Sequence, residues 1–379
     1  MTSDYSALTQ VPLGWYRQMR QSHPVLFDPG FQSWSVFRYK DALQVLTNPR
    51  LYSSEAILPF QPHLPSILGM DDPRHYKLRS IVSKAFTPRF VEQLAPRVEA
   101  ITHELIDRVI ERGEMDAISE FAYPIPLTII AHLLGVPAED QEMFKRWSDA
   151  ISGPPRQTPQ GNYQELEEYF RQKLAERRLH PVDDLMSRLI TAEVDGEHLS
   201  EEELLEFCRL LLIAGYETTA NLLGNTFICF DQYPHVAEEL SNEPALIPGA
   251  IEEILRYFPS VSGVLRIANE DTVLGGQHIA RHQAVMIWIA SVNRDEEQFP
   301  EPERFDIRRE PNRHLAFGHG IHFCLGAPLA RLEAKIALPI LLQCLSEIRR
   351  DPTKSVEAVK SPMIIGVKQF HVTFKPRSK

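Results

Sequence analysis

A helical pattern that opens at Ser200 and runs to about Phe230 constrains the fold more than any other feature of the sequence. Ser200 and Glu203 have the spacing of a capping box, which satisfies two backbone N–H groups at a helix start. At ~1.5 Å per residue, about 30 residues make a rod of ~45 Å, enough to cross a whole domain. Such a rod must be packed by other helices along its length. Periodicity supplies them. Phe90, Leu94, Val98, Ile101, Leu105 and Val109 recur at spacings of three and four, which predicts a helix over 90–110. Similar patterns predict helices over 41–46, 124–134, 138–151, 162–178, 183–193, 245–257 and 325–348. Strand patterns are short and scattered, at 24–27, 34–37, 272–280, 284–291 and 363–374. The expected architecture is mainly α with a small β region, as one domain over 1–379.

Composition narrows the function classes. The chain of 379 residues has 40 basic and 51 acidic side chains, a net charge of −11. That balance argues against nucleic acid or an anionic membrane as the main partner. The densest apolar stretch, Ala284 to Val292, is far shorter than the ~20 residues of a bilayer span. The N-terminus lacks a cationic start followed by an apolar run, so a cytoplasmic location is expected. None of Cys208, Cys229, Cys324 and Cys344 sits in a C-x-x-C pair, which disfavours a disulfide framework and structural zinc.

One of those cysteines stands apart. Residues 317–326 are Phe-Gly-His-Gly-Ile-His-Phe-Cys-Leu-Gly, and Cys324 falls just before a predicted helix. The other three lie within predicted helices. A helix N-terminus offers free N–H groups and positive potential, which favour thiolate over thiol. A thiolate so held can ligate a soft metal or a haem iron. The segment resembles the haem-ligand loop of the cytochrome P-450 monooxygenases, F-G-x-G-x-H-x-C-x-G. Phe317, Gly318, Gly320, His322, Cys324 and Gly326 all match it.

The resemblance extends over nearly the whole chain. Glu253 and Arg256 match the family's E-x-x-R pair, which is joined in the family by a second arginine from a P-E-R-F segment. Here that segment is Pro302-Glu303-Arg304-Phe305, and Arg304 is the expected third member. Ala214-Gly215-Tyr216-Glu217-Thr218 resembles the oxygen-binding motif, with Tyr216 a departure at the variable position. Small residues at Ala214 and Gly215 are expected to let dioxygen approach the backbone, while Glu217 and Thr218 manage protons. His75 and Arg79, one helical turn apart, match the family's propionate-binding pair, with Arg266 and His322 at two further such positions.

The resemblance therefore implies a P-450 fold, a triangular helical prism around a buried haem. It implies haem b with Cys324 as the iron ligand, and cofactor contacts from His75, Arg79, Ala214, Gly215, Arg266, Phe317, Gly318, His322 and Gly326. The catalytic pair is Glu217 and Thr218. The reaction is insertion of one oxygen atom from O2 into a hydrophobic small molecule. No flavin or iron–sulfur segment occurs in these residues, so electrons are expected from NAD(P)H through a ferredoxin or flavodoxin and its reductase. Lys77, Lys84, Arg89, Arg331 and Lys335 are the expected docking cations, and the protein is expected to be a monomer. The substrate pocket is expected to draw on 57–68, Ile213, Ala214, Val261 to Leu265 and Ile364-Ile365, beneath a lid formed by 138–151 and 162–178 with its loop Gly153 to Gly161. Two alternatives stay open: a peroxide-driven enzyme, which in the family lacks the acid–alcohol pair, and a haem-binding sensor without turnover, which has no need of it.

Overall fold

A computed structural model describes residues 5–55, 67–152, 160–359, 361 and 363–377. The long helix spans Glu201–Gln232, and both halves of the Ser200/Glu203 capping box are formed. Three glutamates in its first turn complement the positive end of the helix dipole. From Thr219 to Phe230 every residue is buried, because helices Pro124–Leu133, Ile247–Tyr257 and Ala327–Cys344 pack around it.

The helix expected over 90–110 is two helices, Pro88–Glu92 and Ala95–Val109. Pro96 starts the second, where its missing N–H costs nothing. The apolar spacing runs through the break because both pieces face the same core. The cysteine helix is Ala327–Cys344 and gives way to a strand, Leu345–Arg350, where helix was expected to continue. Leu341, Leu345 and Ile348 suit helical spacing, but the segment pairs antiparallel with His371–Pro376, and the ladder decides.

The strands form small sheets. The largest has five strands in the order Val25–Asp28, Ser33–Val36, Ala284–Trp288, Gly263–Ala268 and Tyr52–Ser53. Its central strand Ala284–Trp288 is parallel to Ser33–Val36 and antiparallel to Gly263–Ala268. Gly263–Ala268, unrecognised as a strand in the sequence, pairs Arg266 with Val285 and so fixes where Arg266 emerges. The expected strand 284–291 ends at Trp288, and Ile289–Val292 turns into helix. A three-stranded sheet joins Glu114–Asp116 to His371–Pro376 and Leu345–Arg350, tying the chain's end to its first third. The larger apolar core draws residues from Val11 to Phe374.

The buried Glu253–Arg256 pair is formed, with Arg256 Nε and Nη2 donating to the two carboxylate oxygens at 2.7 and 2.8 Å. Its second arginine is Arg309, whose Nε donates to Glu253 at 3.3 Å, and not Arg304. The Arg304 side chain is exposed and pairs with Glu301, and only its backbone carbonyl reaches Arg256. The Asp306 N–H and the Asn312 amide also donate to Glu253, at 2.9 and 3.1 Å.

Candidate haem-thiolate active site

The loop 317–326 is shaped by two glycines and one backbone bridge. Gly318 and Gly320 have φ of +72° and +73°, a region that costs other residues ~1–2 kcal/mol. A Cβ on Gly320 would also collide with the carbonyl of Leu46, so the loop touches the helix Tyr39–Leu46 there. The Cys324 N–H donates to the Phe317 carbonyl at 2.9 Å and closes the loop. Gly326 has ordinary backbone angles, and its N–H, with that of Ala327, donates toward the Cys324 sulfur. Cys324 is exposed as a residue, but protein atoms around its sulfur push the thiol up, while these two N–H groups and the charges of Arg79 and Arg331 pull it down without fully offsetting that rise. The helix start alone therefore does not ionise the thiol. A metal ion at the sulfur would, since a coordinating thiol is deprotonated outright.

The helix Arg74–Ala85 lies against this loop. Arg79 Nη2 donates to the Phe323 carbonyl, and the His75 and His322 rings sit 4.1 Å apart between centroids. Arg266 joins them from its strand. It is 6% exposed, and burial brings it down to about 10. Burial brings His322 down to about 3, and the charges of Arg266, His75 and Arg79 push in the same direction. His75 is lowered by burial and by Arg79. The structure thus gathers all four residues singled out in the sequence into one cationic cluster.

Within that cluster both His75 nitrogens and His322 Nε2 are buried without a hydrogen-bond partner among the described residues. His75 Nδ1 lies 3.5 Å from Asp72, too long for a good bond. Buried polar groups left unpaired cost ~1–3 kcal/mol each. Two carboxylates delivered to this place would satisfy them and reverse the mutual repulsion. With a thiol beside them that lacks only a metal's charge, the residues fit a haem.

The long helix bares its middle. Ala214 is exposed although the helix is buried beyond it, so a small side chain faces an opening. Gly215 faces elsewhere: a Cβ there would lie 2.7 Å from the Ile130 Cδ1 atom. Its smallness serves packing against the helix Pro124–Leu133. The Thr218 hydroxyl donates to the Ala214 carbonyl at 3.0 Å. Burial raises the Glu217 carboxyl to about 6, and it makes no hydrogen bond or ion pair among the described residues. Tyr216 packs edge-on against Tyr123 at 5.1 Å.

Sequence reasoning missed Ser260, whose hydroxyl donates to the Thr218 carbonyl at 2.9 Å. Ser260 also accepts from the Ile365 N–H at 2.8 Å, and Val261 bridges to Ile364, which brings those expected pocket segments together. A serine after Phe258-Pro259 carries no local signal for this partner. Of the other pocket and lid segments, 57–66 and most of Gly153 to Gly161 lie outside the described residues.

A glycine-shaped cysteine loop beside a cationic cluster, with a long helix bared at Ala214, makes up the candidate haem site. The family model for cytochrome P450 matches residues 133–364, and the chain belongs to that family. It is 44% identical over 374 residues to a putative cytochrome P450 YjiB of Bacillus subtilis, covering 95% of this chain and 93% of that one. It is 39% identical to the cyclomarin C epoxidase CymV of Salinispora arenicola, covering 95% of each. The crystal structure of CYP109E1 from Bacillus megaterium in complex with testosterone superposes with a TM-score of 0.91 at 40% identity, covering 96% of this chain and 99% of that one. The protein is a P450 monooxygenase with a haem cofactor, and the mainly α fold is the P450 fold. Among the described residues no helix is long and apolar enough to cross a membrane.

Proposed function

We propose that this chain is a single-domain, cytoplasmic, monomeric P450 that holds haem b through Cys324 and oxygenates a hydrophobic small molecule by hydroxylation or epoxidation. The observation that carries the reading is Cys324 itself: its sulfur is met by the Gly326 and Ala327 N–H groups and lies within the field of Arg79 and Arg331. No C-x-x-C-H motif is present for covalent attachment, which supports haem b. The larger apolar core reaches from Val11 to Phe374, which supports one domain. Cyclomarin C epoxidase and the mycinamicin IV hydroxylase/epoxidase of Micromonospora griseorubida are relatives named for such reactions.

When bound, the haem would supply oxygen activation, with the thiolate donating electron density that favours O–O cleavage. The residues around it do the remainder. His75, Arg79, Arg266 and His322 would bind its carboxylates. Ala214, small and exposed, would leave room for dioxygen. Thr218 Oγ1 holds a proton on the Ala214 carbonyl and can turn it toward the reacting oxygen. Glu217 replaces that proton from outside, since a carboxyl near 6 both holds and releases one at neutral pH. Ser260 keeps the Thr218 backbone in place. The apolar side chains of Ile213, Val264, Leu265 and Ile364 suit a hydrophobic substrate, as expected.

Electrons from NAD(P)H would arrive through a separate ferredoxin or flavodoxin and its reductase. Of the docking cations, Lys77 is paired with Glu197 at 2.7 Å, Lys84 donates to the Glu193 carbonyl, and Arg331 is paired with Glu252. Arg89 and Lys335 make no ion pair among the described residues and are the stronger candidates.

The test is the spectrum of the reduced carbon monoxide complex. Wild-type protein should show the red-shifted Soret band of thiolate ligation. Cys324→His should lose that shift and nearly all oxygen activation, while Cys208→Ala and Cys344→Ala keep both. A thiolate spectrum in Cys324→His would assign the ligand to another cysteine and sink the reading.

A further inference from the structure

The cysteine loop is gripped from outside by three charged or polar side chains. Glu252 lies on the helix Ile247–Tyr257, beside the structural Glu253. Arg331 lies on the cysteine helix and donates from Nε and Nη2 to the two Glu252 oxygens, at 2.7 and 2.8 Å. Such a two-pronged contact fixes both partners in orientation. His314, just before the loop, shares the same carboxylate with 3.1 Å between its Nε2 and Glu252 Oε2. Its other nitrogen accepts from the Ala316 N–H at 3.2 Å, so Nε2 carries the proton that Glu252 receives. The Arg331 guanidinium lies over the Phe317 ring at 4.5 Å, and Phe317 in turn meets Phe323 at 6.3 Å. One carboxylate thus holds the entry of the loop through His314 and its exit through Arg331.

This arrangement does more than hold the loop still. Arg331 and Cys324 act on each other electrostatically. A neighbouring cation favours the more negative state of the sulfur and its metal, and a neighbouring anion opposes it. Glu252 opposes the Arg331 charge while holding the guanidinium over Phe317. We propose that Glu252, Arg331 and His314 are positioning residues that set the electrostatic potential at Cys324, and thereby the reduction potential of the haem. The inference rests on the haem-thiolate reading given above.

The sign follows from charge. Reduction adds an electron, so a more positive surrounding raises the potential. Glu252→Gln removes a negative charge and should raise it. Arg331→Gln removes a positive charge and should lower it. The double variant removes both and should return close to wild type. Both side chains are partly exposed, so the single-variant shifts should shrink as salt rises.

The experiment is a spectroelectrochemical titration of the haem-loaded protein in all four forms. Opposite shifts in the single variants, cancelling in the double, are the expected result. If the network only braces the loop, both single variants lose thermal stability but their potentials stay together or move the same way, and the proposal fails. Should Glu252→Gln not take up haem, Arg331→Gln is compared with Arg331→Lys, which keeps the charge but loses the two-pronged grip. A lower potential in Arg331→Gln supports the proposal, and equal potentials overturn it. A wild-type carbon monoxide complex without the red-shifted band would instead bring down the haem-thiolate reading. A normal band with unmoved potentials refutes this inference alone.

Discussion

At the scale of single residues, the site depends on how burial moves protons. Glu217 is raised by burial to about 6, from 4.5. Its protonated form therefore dominates below about 6, and the folded protein incurs a desolvation cost as pH rises through 4.5 to 6. Wild-type stability should fall by up to ~2 kcal/mol across that window, since each tenfold change in proton affinity is worth ~1.4 kcal/mol. Glu217→Gln should flatten the fall, which chemical denaturation at several pH values would measure. Equal slopes in both proteins would mean the carboxyl is solvated. Product formed per NAD(P)H consumed should also decline as pH rises through about 6 in wild type, with no such inflection in Glu217→Gln. Thr218→Ala tests the neighbouring group. Among the described residues its hydroxyl bonds only its own helix, at the Ala214 carbonyl, so haem content should be unchanged. Product per NAD(P)H should fall about tenfold, less than the ~10²–10⁴ that proton transfer by a positioned side chain typically contributes, because Glu217 remains, and peroxide should rise. An unchanged ratio would reduce Thr218 to a helix residue. Its motif was legible because composition and spacing matched, but the Ser260 hydroxyl on its carbonyl was not, since that contact bridges 42 residues.

Among elements, the cysteine loop discriminates between two glycines that look alike in sequence. Gly318 and Gly320 share a left-handed backbone, but a side chain on Gly318 would meet nothing closer than 3.7 Å. Gly318→Ala should therefore cost only the conformational ~1–2 kcal/mol. Gly320→Ala adds a collision with the Leu46 backbone, which cannot swing aside as a side chain can, and should cost ~2–5 kcal/mol in all. Haem retention and unfolding midpoints of the two variants give the comparison, and equal losses would place the loop away from Leu46. The same scale explains the split helix over 90–110 and the strand at Leu345–Arg350. Apolar spacing in the sequence reports which residues face the core. It does not report whether a break or a change of period occurs while they continue to face it.

For the whole molecule, the buried Glu253 carboxylate ties the helix Ile247–Tyr257 to the segment that leads into the cysteine loop. Arg256→Ala leaves that carboxylate without its bidentate partner in a dry interior and should cost ~3–5 kcal/mol. Arg309→Ala removes the charged contact with Glu253 together with three hydrogen bonds to the Pro300, Glu301 and Arg304 carbonyls, and should cost at least ~1.5–3 kcal/mol. Arg304→Ala, with its side chain in solvent, should stay within ~0.5 kcal/mol. Thermal melts of the three would rank them, and an Arg304 loss as large as that of Arg309 would contradict the arrangement. The E-x-x-R pair was legible because its two members share a helix face, one turn of local chain apart. Arg304 and Arg309 could not be told apart in the same way, because both lie in irregular chain and only the path from Pro300 to Pro311 aims one inward. The same division holds across the protein. Short-range rules, readable along the chain, govern the long capped helix, the helical majority, the glycines of the cysteine loop and the spacing of Glu217 and Thr218. Packing settled what depends on distant segments meeting. It gathered His75, Arg266 and His322 into one cluster, turned Gly215 toward Ile130 and bared Ala214, and closed Glu252, His314 and Arg331 around the loop. The physical reason is that propensity and periodicity act over a few residues, whereas burial and charge pairing act between whichever surfaces the packed chain brings into contact.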